Sequence, residues 1–231
     1  MIMMGLTNRM ELGKIERRRA VDDVYQAIRE AILDRRFPAG MRLNVDELAS
    51  QLGVSLTPIR SALQLLAAEG LVDVHSRSGT FVATLSRRDL EETFDIRCAL
   101  ECLAAERAAT LTDDYIEKAR KLLAILAKPI KNDSQRKVHE QANTEFHNLI
   151  IESADNKRLA DMYESLQAHI AMCRVHRQDE KWELRLPKEQ QEHEEIVLAM
   201  ERRDPKALVK ALRDHILRAK GVLVENVRAA E

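Results

Sequence analysis

The sequence predicts a mainly α protein, with an N-terminal winged helix-turn-helix (three helices and a two-stranded wing) followed by an all-α bundle of about six helices. Three observations predict it. Two short one-sided helical patterns between residues 44 and 70 are separated by Gly53 and followed by two β-prone runs. Beyond residue 86, helical periodicity continues with no strand pattern or repeat. Aromatics make up only 3% of the 231 residues, with seven Gly and five Pro, a composition suited to helices packed with Ala, Leu and Ile.

Val21, Val24, Tyr25, Ile28 and Ile32 form the apolar stripe of a first helix, and Pro38-Ala39-Gly40 ends the approach to the second. Asn44, three residues ahead of Glu47, has the capping arrangement that satisfies orphan backbone donors, so the next helix starts at Val45. Val45, Leu48, Ala49 and Leu52 share one face, and Gly53 falls where a left-handed C-cap is expected. Ser55 is placed to cap a third helix whose first turn tolerates Pro58. Its Ile59, Ala62, Leu63 and Leu66 point inward, and Thr57, Arg60, Ser61 and Gln64 outward. After Gly70, Leu71–Val74 and Thr80–Ala83 flank a polar turn, His75-Ser76-Arg77-Ser78-Gly79, as the wing.

This order of elements is built to read double-stranded DNA: the outward face of the third helix enters the major groove while phosphate contacts fix the register. Arg60 is the leading candidate for a guanine or phosphate contact, with Thr57 and Ser55 beside it. In the wing, His75, Arg77 and the backbone at Gly79 can reach the minor groove or its phosphates. Arg17-Arg18-Arg19 reads either as a phosphate-contacting arm or as a solvated face. Charge agrees: residues 1–88 carry 13 Lys+Arg against 10 Asp+Glu, and the remainder 24 against 28. The predicted organisation is an arm over 1–16, a DNA-binding domain over 17–85 and a helical domain over 86–231.

The residues Leu48-Ala49, Gly53-Val54-Ser55, Thr57-Pro58-Ile59-Arg60, Glu69-Gly70-Leu71 and Gly79-Thr80-Phe81-Val82 resemble the GntR family of bacterial transcription regulators. Many members carry Arg where this chain has Leu56. Leucine offers only apolar contact, for instance to a thymine methyl, so the expected operator differs from the family's commonest one.

The second domain scans as helices over 87–110, 112–128, 135–153, 156–178, 187–203 and 205–229. Ser86-Arg87-Arg88-Asp89 can cap the first, and Thr112, Pro187 and Asp204-Pro205 supply further start signals. His147, with Asn143 one turn before it, His193 and His215 each share a stripe with apolar residues on a separate helix. An inward histidine is commonly a hydrogen-bonded core residue, whereas three that converge make a transition-metal site. Cys98, Cys102 and Cys173 are an odd number and read as buried free thiols.

Arg97 with Leu100-Glu101, Phe146-His147 with Leu149, Ala154-Asp155-Asn156, Glu192-His193 with Ile196, Arg203-Asp204 and His215-Ile216 resemble the FCD effector domain of the FadR branch. The resemblance implies a divalent transition metal, zinc or nickel, on His147, His193 and His215, with Asn143 in place of the usual Asp. It also implies a small carboxylate effector and a homodimer on a palindromic operator. Asn removes one negative charge from the ligand set, so an anionic effector should balance a bound divalent ion better than water. Arg97 is either a carboxylate clamp or the partner of Glu101 in an i,i+4 ion pair, and Arg174 is a second possible clamp. His139, His169 and His176 could approach the cavity, and His169 with Cys173 has ligand spacing but no third ligand.

A metal-dependent enzyme fused to a DNA-binding module is the alternative class. Against it, no His-Glu-x-x-His pattern occurs, and Glu145, Glu192 and Glu194 are expected on helix flanks, aimed away from the histidines. No apolar run approaches a membrane span, and a cytosolic protein is expected.

Overall fold

The computed structural model describes residues 18–107, 110–175 and 182–228. Helix α1 (Arg18–Leu33) leads through strand β1 (Arg42–Leu43) into α2 (Val45–Leu52) and α3 (Leu56–Ala68), then strands β2 (Val72–His75) and β3 (Gly79–Val82). Asn44 caps α2 as expected, accepting from the backbone N–H groups of Asp46 and Glu47, and Gly53 ends it at φ 65° with its N–H donated to the Ala49 carbonyl. Ser55 stands at the N-cap of α3 in extended backbone, but its side chain makes no capping bond and remains exposed.

The wing has three strands rather than two. β3 lies between β1 and β2 in an antiparallel sheet, with Arg42 opposite Phe81, and His75 opposite Gly79. Two residues are too few to show the alternation that marks a strand in sequence, so β1 is defined by its pairing alone.

The helical domain comprises α4 (Arg87–Ala105), α5 (Asp113–Leu126), α6 (Asp133–Ser153), α7 (Lys157–Val175), α8 (Trp182–Glu201) and α9 (Pro205–Arg228). Ser86 and Asp89 close a reciprocal capping box on α4, and the Asp204 carboxylate accepts from the Lys206 and Ala207 N–H groups at the start of α9. Pro187 does not begin α8. It lies inside the helix, which starts five residues earlier at Trp182. As the sixth residue of α8 it lies past the four N-terminal amides that lack intrahelical partners, so it forgoes the bond an N–H there would make to the Glu183 carbonyl.

α4 packs against α9, α6 and α7, while α5 lies against α6 and α8. Phe146, Ile150, Ile196, Met200 and Leu212, all buried, anchor the bundle core. The winged domain is built on Ile28, Ile32, Ile59, Leu66 and Leu71, and its core also takes in Ala168 and Met172 from α7. One bundle helix therefore supplies apolar surface to both cores. Among the described residues, no helix is long and apolar enough to cross a membrane.

Candidate metal centre and nucleic-acid interface

His147 on α6, His193 on α8 and His215 on α9 meet in the bundle interior. All three are buried, and one ligand atom from each lies within 4.8 Å of the others. Ring centroids are 5.9 Å apart for His147 and His193, 5.3 Å for His147 and His215, and 4.6 Å for His193 and His215. Phe146 stands edge-on to the His193 ring at 5.1 Å and helps to keep the site dry.

Two carboxylates support these rings. Glu101 on α4 is completely buried and bonds the Nδ1 of His147 at 2.6 Å. It also pairs with Arg97 Nε at 2.8 Å and accepts the Tyr163 hydroxyl at 2.7 Å. Glu192 bonds the Nδ1 of His215 at 2.9 Å and holds Arg218 Nε at 2.6 and 2.8 Å. A ring whose Nδ1 is engaged by a carboxylate presents Nε2 as its basic lone pair, the arrangement that orients a metal-ligating imidazole. Glu192 therefore departs from its expected place on an outward flank: the helical register of α8 turns it inward with His193, and His215 and Arg218 of α9 compensate its charge. Glu145 and Glu194 are exposed as expected.

The remaining polar atoms at the centre are left without partners. Nε2 of His147, both ring nitrogens of His193 and the Oδ1 of Asn143 are buried and make no hydrogen bond. Leaving one such group unsatisfied costs about 1–3 kcal/mol, and the acceptors among them suit an electrophile. Three imidazoles and an amide oxygen form a donor set suited to a divalent transition metal, and these residues fit one.

Electrostatics favour the same state. Burial, reinforced by the charge of Arg97, pushes the His147 pKa down to about 4, even though Glu101 opposes the shift. Burial also drives His193 well below the usual histidine value, with His215 and His147 adding to the effect. Burial alone would raise the Glu101 carboxyl, yet His147 and Arg97 hold it well below the usual carboxylate range. His147 and His193 are thus neutral, ligand-competent rings at neutral pH, beside an ionised Glu101.

Of the two roles the sequence left open for Arg97, the ion pair with Glu101 is formed. Its Nε is paired with Glu101, while its Nη2 is buried without a partner. Arg97, Asn143 and His215 line a cavity of about 40 Å³, together with Arg218 and Phe94. His139 is buried and close enough to disfavour protonation of His193. His169 packs instead against Gly70 of the winged domain and Cys173 is buried in an apolar cluster, so that pair forms no ligand set. The Arg174 side chain, His176 and the Arg17–Arg19 side chains lie outside the described residues.

At the other end of the molecule, Ser55, Leu56, Thr57 and Arg60 are exposed at the start of α3, and His75 and Arg77 are exposed on the wing. Ser61, expected outward, is half-buried. Gly79 has φ 111°, and a Cβ there would approach the Arg42 guanidinium to 3.1 Å. Arg42 thus belongs to the basic face of the wing, although a lone arginine before Asn44 carried no signal for it.

Comparison with known proteins agrees with this architecture. Residues 20–82 match the model of the bacterial regulatory proteins of the gntR family, and residues 92–218, more than half of the chain, match the FCD domain. The chain belongs to the GntR family. This GntR regulator is 30% identical over 203 residues to a protein of Paenarthrobacter nicotinovorans named "Probable D-xylose utilization operon transcriptional repressor", covering 88% of each chain. It is 26% identical over 196 residues to the HTH-type transcriptional repressor RspR of Escherichia coli, covering 84% of each. The solved structure of E. coli McbR/YncC shares the fold, with a TM-score of 0.73 at 22% identity over 89% of this chain and 97% of that one. Its relatives are regulators, and this GntR protein is a transcription regulator rather than an enzyme.

Proposed function

We propose that this GntR regulator is a dimeric repressor whose affinity for a palindromic operator is set by a small carboxylate bound at a metal-containing centre in the helical domain. The observation that carries this reading is the cluster of unpartnered buried atoms. One ligand atom from each of His147, His193 and His215 lies within 4.8 Å of the others, Nε2 of His147, both nitrogens of His193 and the Oδ1 of Asn143 are buried without partners, and the Arg97 Nη2, also unpartnered, lines the adjoining cavity. His147, His193, His215 and Asn143 are the proposed ligands of a divalent transition metal, zinc or nickel, which would supply a Lewis-acid position for a carboxylate oxygen. Arg97 would take the other carboxylate oxygen while Glu101 holds its guanidinium in place. At about 40 Å³ the cavity exceeds the roughly 10–15 Å³ that one water needs and suits a carboxylate head group, so the rest of the ligand must displace side chains.

Tyr163 on α7 bonds Glu101, while two turns further on the same helix enters the winged core through Ala168 and Met172. A change at the centre thus has a direct mechanical route to the DNA-binding domain. Arg60, Thr57, Ser55 and Leu56 would meet the major groove, with His75, Arg77, Gly79 and Arg42 on the wing side. The domain boundary is placed near residue 85. Ile96 and Leu103, two turns apart on α4, are about half exposed and support pairing of two bundles through this face.

The deciding experiment is elemental analysis of the purified protein, with titration of candidate acids into metallated and chelator-treated samples. Stoichiometric metal and weaker acid binding after chelation are expected. Equal acid affinity in both samples would refute the coupling, and a metal-free protein whose binding is unaffected by added zinc or nickel would refute the centre.

A further inference from the structure

Cys98 and Cys102 stand one turn apart on α4 and are not among the ligands of the histidine centre. Their sulfurs lie 4.0 Å from each other, in van der Waals contact. Cys98 is half-buried and Cys102 is buried. On the α9 side, the Cys102 Sγ faces the Val209 carbonyl at 3.8 Å, and the exposed Arg213 is close enough to favour its thiolate. Burial, reinforced by the neighbouring thiol, nevertheless pushes Cys102 up to about 11, so at neutral pH it keeps its proton.

Geometry decides between two fates for such a pair. A disulfide needs Cβ atoms about 3.5–4.5 Å apart. Residues four apart on a helix hold theirs about 5–6 Å apart, so oxidation would have to distort α4, which is continuous helix from Arg87 to Ala105. A bridging metal ion makes no such demand. Metal–sulfur bonds of about 2.3 Å place two ligating sulfurs up to about 4.6 Å apart, and side-chain rotation alone takes the present 4.0 Å to that spacing.

Coordination number then selects the ion. Among the described residues, three imidazole, thiol or carboxylate donors meet only at the histidine centre, so no third such ligand joins the two sulfurs. Zinc, which seeks four ligands, is poorly served by two, whereas a soft monovalent cation accepts a near-linear pair of thiolates. We propose that Cys98 and Cys102 form a two-coordinate site for copper(I) on the seam between α4 and α9. Binding releases both thiol protons, and the resulting bis-thiolate complex carries one net negative charge beside the Arg213 guanidinium. Cys98 and Cys102 each follow by one residue the paired Arg97 and Glu101, so the ion would brace the turn of α4 that supports His147. The site does not depend on occupancy of the histidine centre.

Anaerobic titration of the zinc-saturated full-length protein with copper(I), in competition with bicinchoninate, tests the proposal. One copper(I) per chain should be held against the chelator. Cys98→Ser and Cys102→Ala should each weaken it about 100-fold or more. Cys98→Met, which restores a soft donor at the half-buried position, should recover part of the affinity and separates ligation from a folding defect. Cys173→Ala and His193→Gln should leave it unchanged. Failure to hold copper(I), or retention that survives Cys98→Ser, overturns the site. So does copper(I) lost in His193→Gln, which would place the ion among the histidines. Zinc uptake that falls by one equivalent in Cys98→Ser would overturn the choice of ion.

Discussion

Glu192→Gln isolates the contribution of a carboxylate that touches the proposed metal centre only through a histidine. In the wild type, Glu192 accepts from His215 Nδ1 at 2.9 Å and from Arg218 Nε at 2.6 and 2.8 Å. A glutamine of the same shape keeps one acceptor oxygen and gains an NH2 group, which must oppose one of those donors. With its oxygen at the Oε2 position the amide sets its NH2 against the Arg218 Nε, and flipped it sets the NH2 against the His215 Nδ1–H, at a cost of about 1–3 kcal/mol to the metal-free fold. Loss of a carboxylate behind a ligating imidazole weakens metal affinity about 10- to 100-fold, or about 1.4–2.7 kcal/mol. Competition with a chromophoric zinc chelator would read this directly. Thermal denaturation at fixed free zinc should show the metal-linked stabilisation falling by the same amount. Glu194→Gln, at an exposed neighbouring position, is the control and should match the wild type. A Glu192→Gln protein that binds zinc within twofold of wild type would refute the reasoning that Glu192 fixes the ligand.

On operator DNA selected from random sequence with the wild-type protein, Arg60→Ala should weaken binding by about 1–3 kcal/mol and relax preference at one base position, read by gel shift on single-base variants. Unchanged affinity and specificity would remove Arg60 from the contact surface. Gly70→Ala should destabilise the protein by about 1 kcal/mol from its φ of 71° alone, plus a steric cost, because the new methyl would approach His169 Nε2 to 2.7 Å. His169→Ala in the same background should recover the steric part in urea denaturation, and no recovery would deny the contact. Burial, reinforced by the Glu69 carboxylate, pushes the Tyr25 hydroxyl up from 10.0 to about 12. The folded state thus retains the phenol proton that the unfolded chain releases. The stabilisation is fully present below pH 10 and fades as the pH rises from 10 towards 12. Tyr25→Phe should flatten the melting temperature over that window, and an unaltered pH profile would contradict the assignment.

Much of the fold is written in local chemistry. Asn44, Gly53, the Ser86–Asp89 pair and Asp204 mark helix ends because each satisfies backbone groups within its own turn, so a sequence read one turn at a time reveals them. The three histidines were legible as inward residues for the same reason of periodicity. Their convergence was not, because it depends on how α6, α8 and α9 pack. Glu101 illustrates the limit most clearly. Spacing identifies its bond to Arg97 four residues away, but its bonds to His147 and Tyr163 span 46 and 62 residues. Glu192 was misread because a carboxylate on an amphipathic helix is ordinarily solvated, and only Arg218 and His215 on another helix make its burial tolerable. Strand β1 and the Pro187 interior of α8 were missed for opposite reasons: the first is too short to have a pattern, and the second carries a strong start signal through which the helix nevertheless continues.

The placement of Ala168 and Met172 in the winged core bears on how such proteins can be recombined. A chimera joined at the polar segment after the wing would carry its DNA-reading half intact in sequence, yet it would inherit from the donor bundle two side chains chosen for a different neighbour. The natural unit of exchange in this chain is therefore discontinuous, the first 85 residues together with the matching stretch of α7, and grafts that respect only the linear boundary should fold less stably than either parent.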